Sequence, residues 1–409
     1  MKNKIAFMVI LLSCLSTVAQ ADIFHYKNVL VGDRGANMGG AYIALSDDSS
    51  GCYYNPSGIS YTEGANLSGS VNAYHIQNST YKNAIRGNDW KRNSAELLPN
   101  FFGLIKNFGK HSFGVAVIVP DSFVQHQDQS IDNLPDMGGR TISRYTLSRH
   151  EEDSTTITGL TYAYEISDTL AIGTTLDYYY RKNRIANSQT VLYGDGLNRG
   201  DFYNTSWFEA GLYPKLGVRW APHKKFAVGM TLSQVFIATS KWETMGNTKE
   251  EGSADFIFMR DDTKSKRNTP LEFGLGLAMF PTEKVTFTFD TNFYSNSGRD
   301  VFSLYGYESV INFSFAGEYK INKKNVVRLG YFTNNSSVPD PSINTRNLEH
   351  LDMWGISTGY SIHNDVTSFT IGLVYSQGSG LSQIYDGSPA TTNVKRYSAT
   401  GLFSTNYKI

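Results

Sequence analysis

Cysteine is almost missing: two in 409 residues, Cys14 and Cys52. Cys14 falls in a leader, so a processed chain keeps one thiol and no intramolecular disulfide, which excludes the disulfide-stapled secreted scaffolds. Net charge is missing too. Lys plus Arg and Asp plus Glu both number 37, and losing Lys2 and Lys4 with the leader leaves 35 against 37. With no basic block, nucleic acid is not an expected partner. Long apolar runs are absent, since the longest, Ile5 to Leu15, is too short to span a bilayer. Mean hydropathy is negative, which excludes a helical membrane protein. The eight histidines (His25, His75, His111, His126, His150, His223, His350, His363) are scattered without metal-ligand spacing. No H-E-x-x-H or phosphate loop occurs, and the one G-x-S-x-G spacing, Gly355-Ile356-Ser357-Thr358-Gly359, falls inside a strand segment (351–362) rather than at a strand-to-helix elbow. We therefore expect no catalytic residues, no metal and no cofactor.

What is plentiful is aromatic and small: 26 Tyr, 24 Phe and 37 Gly, with only 11 Pro. Aromatics at this density favour strands. Lys2, Lys4, the apolar run and Val18-Ala19-Gln20-Ala21 read as a secretory signal peptide over residues 1–21. A second reading, a lipobox at Leu11-Leu12-Ser13-Cys14, would acylate Cys14 instead.

Beyond about residue 65 the chain settles into segments of alternating polarity, each of about the ~10 residues that a tilted membrane strand needs. Leu271, Phe273, Leu275, Leu277 and Met279 share one face, while Glu272, Gly274, Gly276 and Ala278 share the other. Thr158–Ile166 and Phe226–Ser233 repeat the pattern. Short turns near 107–110, 167–169, 222–225, 281–284, 322–325 and 363–365 alternate with polar connections at 78–98, 121–153, 182–205, 237–269, 295–307, 335–350 and 377–396. Short turns on one side and long loops on the other are the mark of an outer-membrane barrel. The strand count is fourteen, ending in Tyr397–Ile409. The expected fold is all-β: a transmembrane antiparallel barrel over 65–409, preceded by a plug of short helices over 22–64.

That plug is the stretch GANMGGAYIALSDDSSGCYYNPSGI, residues 35–59. A barrel of fourteen strands is too wide for its own side chains to fill. Glycine and alanine let this segment lie close to the wall, and Asp47 or Asp48 can cap a short helix or meet an inward cation such as Arg181 or Arg219. Asn55-Pro56 reads as a helix cap followed by Pro at the first helical position. Cys52 reads as a small packed residue.

The run GGAYIALSDDSSGCYYNPSGI resembles the N-terminal signature of the FadL-type outer-membrane transporters and their relatives. Gly39, Gly40, Ala41, Asp47, Asp48, Tyr54, Asn55, Pro56 and Gly58 match, and Ser57 stands where Ala is usual. The resemblance implies a monomeric fourteen-strand barrel closed by an N-terminal hatch, set among outer-membrane lipid and lipopolysaccharide. It implies passive uptake of a hydrophobic ligand such as a long-chain fatty acid or an aromatic hydrocarbon. The ligand leaves sideways through a gap beside a kinked third strand, for which Gly114 and Pro120 are the candidates here. Phe236, Ile237, Trp242, Met245, Phe256 and Phe258 form a candidate capture patch in an external loop. Trp207, Trp220, Tyr178 and Tyr180 are expected in the interfacial girdles. The alternative function is a barrel that docks secreted proteins or acts as a surface adhesin.

Overall fold

The computed structural model describes residues 25–409 except 63, 86, 135–140, 253, 263–265, 299–305, 343–347 and 384–389. The leader and Cys14 lie outside the described residues. One sheet contains β1 (Ala65–Ile85), β2 (Asn88–Phe108), β3 (His111–Leu134), β4 (Ile142–Ser167), β5 (Leu170–Tyr193), β6 (Asn198–His223), β7 (Phe226–Gln234), β8 (Phe236–Glu250), β9 (Phe256–Asp262), β10 (Leu271–Thr282), β11 (Val285–Tyr294), β12 (Val310–Lys320), β13 (Asn325–Asn334), β14 (Glu349–His363), β15 (Thr367–Ser382) and β16 (Thr392–Lys408). Every ladder is antiparallel. β1 pairs with β16, β5 with β6 and β7 with β10, so the sheet closes on itself. β8 continues β7 after Val235, and among the described residues β9 pairs with β8 alone. Fourteen tracks therefore form the barrel, as the polarity alternation predicts.

The alternation decides the faces. Along β14 buried and exposed residues alternate for six repeats. The exposed set is apolar: Leu271, Phe273, Leu275, Leu277 and Met279 on β10, and Leu160, Tyr162 and Ile166 on β4. Water would penalise such a belt, whereas bilayer hydrocarbon accepts it, so this is a multi-pass outer-membrane barrel. Trp220, Tyr178 and Tyr180 stand on the outer face. Trp207 does not. It faces inward, 4% exposed, with the Arg181 guanidinium 5.6 Å from its ring centre.

The connections expected as long polar loops at 78–98, 121–153, 182–205 and 237–269 are largely strand. β1 to β6 run 21 to 26 residues, about twice what the bilayer requires. β10 to β13 run only 10 to 12. One side of the barrel thus rises well beyond the membrane as paired sheet, and the other stops near its surface. Lipid no longer covers the outer face there, and the inner face buries both polar groups such as Gln125, Glu151 and Asn183 and an apolar cluster that includes Tyr81, Ile131 and Leu147, so the simple apolar-out alternation ends.

Candidate functional site

Residues 25–62 contact strands all around the ring, which places them inside the barrel. They contain two four-residue helices, Arg34–Asn37 and Gly51–Tyr54, and a 3-10 helix, Pro56–Tyr61. Asn55 caps the last: its side chain accepts from the Ser57 amide, and Pro56 stands at the first helical position. The same side chain donates to the carbonyls of Ile43 (2.8 Å) and Val218 (3.1 Å), joining two parts of the segment to β6. Asp48 accepts from the amide and hydroxyl of Ser50, an Asx-type turn just ahead of Gly51–Tyr54, whose own cap position is Ser50.

The wall holds the segment with polar groups aimed at its backbone. One carboxylate oxygen of Asp290 on β11 accepts from the amides of both Tyr42 (2.7 Å) and Ile43 (2.8 Å). Arg219 donates to Ala44 O (2.8 Å), Thr175 to Cys52 O (3.0 Å) and Ser357 to Asn37 O (3.0 Å). Glycines on the inner face make the approach possible. A Cβ on Gly330 would lie 2.4 Å from Gly39 N, and one on Gly229 2.3 Å from Ile43 O. Gly39 and Gly40 both have positive φ, which their tight turn requires. A Cβ on Gly58 would meet Ser46 O at 2.5 Å.

Asp47 meets neither Arg181 nor Arg219 in an ion pair. Its partner is Arg34 (2.7 Å), which also binds Glu318 on β12 (2.8 Å), and Glu318 in turn binds Arg328 on β13 (2.7 Å). Burial raises the Asp47 carboxyl, but the Arg34 guanidinium, the hydrogen bond from the Tyr42 hydroxyl and the Arg219 charge together outweigh it and hold the group below its ordinary range. Asp48 has no such partner. Burial pushes it up to about 6, against the hydrogen bonds from Ser50. Arg181 binds Asp153 (2.9 Å) and lies 3.6 Å from Asp121. Arg219 stacks on Tyr61 at 3.9 Å. Arg34, Asp47, Asp48 and Glu318 line a cavity of about 560 Å³ at the end of the barrel where the short turns lie.

The wall is interrupted in one place beside the segment. β2 and β3 pair regularly from Phe108↔His111 to Phe101↔Ile118, and next at Asn93↔His126. Residues 94–100 and 119–125 between those points share no ladder. Two prolines flank the interruption, Pro99 on β2 and Pro120 on β3, and neither has an amide to donate. Ser122 Oγ spans it to Glu96 (2.9 Å). On the outside stands Leu97, 68% exposed, the last large apolar residue of the lipid belt on β2. On the inside stand residues 28–30. Val29 N donates to Pro120 O (3.3 Å), Asn28 to Asp121 (3.1 Å) and Asn100 to Leu30 O (2.8 Å). Gly114 is not part of this interruption. It pairs on both sides, with Ile105 and Thr161, and a Cβ there would lie 2.7 Å from Cys52 Sγ. Its role is to make room for the segment. Pro99 is not among the gap residues expected from the sequence; a proline inside a strand segment is the local signal that points to it, and only the register of β2 against β3 reveals what it interrupts.

Between residues 25–30 and β5, β6, β10 and β11 lies a cavity of about 170 Å³ that reaches Pro120 and Asp121. Tyr26, Tyr53, Tyr54, Tyr179, Tyr213 and Tyr294 line it. Four cations, Lys27, Arg181, Lys215 and Arg267, and two carboxylates, Asp121 and Glu272, also line it, and Asp153 behind the lining binds Arg181. Arg267 binds Glu209 (3.4 Å), and Lys215 donates to Tyr53 O between the rings of Tyr53 and Tyr213.

The residues of the expected capture patch lie on strands, because β8 and β9 pair where a loop was expected. They do not form one surface. Phe236 and Met245 are exposed, beside Ile257 and Met259. Trp242 turns to the other face, toward Trp207 and Tyr307. Ile237 and Phe258 are half-buried. The side chain of Phe256 lies outside those described.

No protein-family model and no curated protein matches the sequence. Solved structures do match the fold. A Pseudomonas aeruginosa FadL homologue superimposes with a TM-score of 0.66 at 11% identity, over 94% of this chain and 99% of its own. The Pseudomonas putida toluene transporter TodX gives 0.66 at 12% identity over 94% and 99%, and the Ralstonia pickettii toluene transporter TbuX gives 0.62 at 12% over the same shares. Across nearly its whole length, the chain has the fold of the FadL-type outer-membrane transporters.

Proposed function

We propose that the protein is an outer-membrane channel for the passive uptake of hydrophobic or amphipathic small molecules, with residues 25–62 as its hatch. The observation that carries this reading is the interrupted β2–β3 ladder, which opens from the tyrosine-lined cavity toward the lipid belt with only residues 28–30 between. A molecule that displaces those residues passes Pro120 and enters the membrane laterally, so it need not cross the periplasmic plug. Binding of an apolar molecule supplies the driving force, since each buried methylene is worth about 0.8 kcal/mol. Two of the similar structures are toluene transporters by name, which supports the same ligand class here. The barrel works as a monomer in contact with lipopolysaccharide. The docking-platform and adhesin reading has no comparable support, because the structural neighbours are channels.

The test is a disulfide across the interruption. Glu96→Cys with Ser122→Cys, in a Cys52→Ser background, ties β2 to β3. Uptake of a radiolabelled ligand by whole cells should fall at least about tenfold when the bond is oxidised and recover on reduction. Equal uptake in both states would rule out the lateral route.

A further inference from the structure

The cavity between residues 25–30 and the barrel wall does not have the lining that a hydrocarbon channel calls for. Three of its polar groups have no protein partner among the described residues. Tyr53 and Tyr294 make no hydrogen bond through their hydroxyls, and the Asn292 amide nitrogen is buried without an acceptor. Glu272 uses one carboxylate oxygen for both Tyr213 (2.8 Å) and Ser233 (3.1 Å), which leaves the other as a free acceptor. Leaving such groups unpaired on binding an apolar molecule weakens that binding. A ligand that both donates and accepts a hydrogen bond removes that cost.

Size and charge narrow the choice. A cavity of about 150 Å³ holds one benzene ring, so 170 Å³ holds one ring with a small substituent. Pockets for larger ligands run to roughly 300–1,000 Å³. Arg181 is bound by Asp153 and Arg267 by Glu209, while Lys215 donates to Tyr53 O and Lys27 to Ser314 Oγ, so an anionic head group would have to displace partners these cations already have. Aromatic walls suit a ring: Tyr26 and Tyr294 already stack at 4.2 Å, a geometry that a further ring can extend.

Resting on the channel reading above, we infer that this cavity selects single-ring aromatics bearing a neutral hydroxyl, the phenol class. It prefers them to hydrocarbons of the same size and to long-chain acids. The ring lies among the tyrosines. Its hydroxyl donates to Glu272 and accepts from Tyr53, Tyr294 or Asn292.

Isothermal titration calorimetry of the detergent-purified protein, blanked against detergent alone, tests this with four probes: 4-cresol, toluene, 4-methylbenzoate and palmitate. 4-Cresol should bind about fivefold or more tighter than toluene, the value of one net hydrogen bond, and tighter than both acids. In the double variant Tyr53→Phe with Tyr294→Phe, which keeps ring shape and removes only the hydroxyls, the cresol-to-toluene ratio should fall toward one, with toluene binding at least as tightly as in wild type. Toluene or palmitate binding as well as cresol, or a ratio that survives in the double variant, would overturn the ligand class and leave the channel reading standing. Binding by none of the four would overturn both.

Discussion

Asp290 offers the sharpest measure of how the N-terminal segment is held. A single carboxylate oxygen on β11 takes two backbone amides, from Tyr42 and Ile43, at 2.7 and 2.8 Å. Asp290 and Tyr42 are fully buried and Ile43 is 3% exposed. Hydrogen bonds to a charged group contribute about 1.5–3 kcal/mol each, and a stranded buried donor costs a similar amount. Two such bonds give about 4 kcal/mol. Water entering the lumen after Asp290→Ala recovers roughly half, leaving ~2 kcal/mol as a lower bound. Every 1.4 kcal/mol is tenfold in an equilibrium, so the undocked population should rise by a factor between roughly 30 and 1,000. The segment carries its own reporter. Cys52 is 1% exposed, and burial pushes its thiol up to about 12, so docking protects it both by access and by protonation. Maleimide labelling of Cys52 under native conditions therefore reads undocking directly, while heat-modifiability on a gel checks that the barrel remains closed. Asp290→Asn, which keeps a neutral acceptor, should give a smaller rise of roughly tenfold. A labelling rate within threefold of wild type in Asp290→Ala, with the barrel intact, would refute the view that this carboxylate anchors the segment.

Two further outcomes follow from the same reporter. Gly330→Val places a Cβ 2.4 Å from Gly39 N, where no side chain can turn aside; overpacking of about 1–3 kcal/mol should speed Cys52 labelling roughly tenfold. Gly401→Val, with nothing within 4 Å, should leave it unchanged, and a similar effect from both would count against close packing as the cause. Docking should also tighten in mild acid. Asp48 in the docked segment titrates near 6, above its ordinary range, so the docked form binds the proton more tightly and docking gains as pH falls from 7 toward 4. Asp47, held low by Arg34, stays ionised through that window. Labelling, normalised to a denatured control, should slow by roughly three- to tenfold for this half-buried group, and Asp48→Asn should flatten the profile. A wild-type rate that rises on acidification would contradict the assignment.

The legible part of the fold is the part that lipid dictates. Where Leu271–Met279 must show an apolar face to hydrocarbon, alternation gives both strand and facing. Above the membrane that demand ends. In Asp121–Leu134 and Lys182–Tyr193 polar residues occupy both faces, so the ladder that pairs them leaves no trace in polarity and the sequence reads there as loop. The site divides in the same way. Asn55-Pro56 acts through neighbours in sequence and was readable. The Arg34–Glu318 pair joins residues 284 positions apart, and nothing local in either residue announces the other. Pro120 was visible as a breaker, but the gap belongs equally to Pro99, and its extent depends on the register of β2 against β3. The inner-face glycines were visible as small residues; what they make room for appears only once the segment is seated against them.

The unequal height of the barrel rim has a consequence for traffic. Following the strand order around the ring, the β2–β3 interruption lies across from β11 and β12, in the middle of the low side. Fourteen strands at ~4.8 Å spacing and a tilt near 40° make a ring roughly 25–30 Å across. The tall strands stand directly above the interruption like the backboard of a hoop, screening it from bulky material in the medium. On the proposed channel reading, a small solute entering over the low rim would cross the full bore beneath that backboard to reach the interruption.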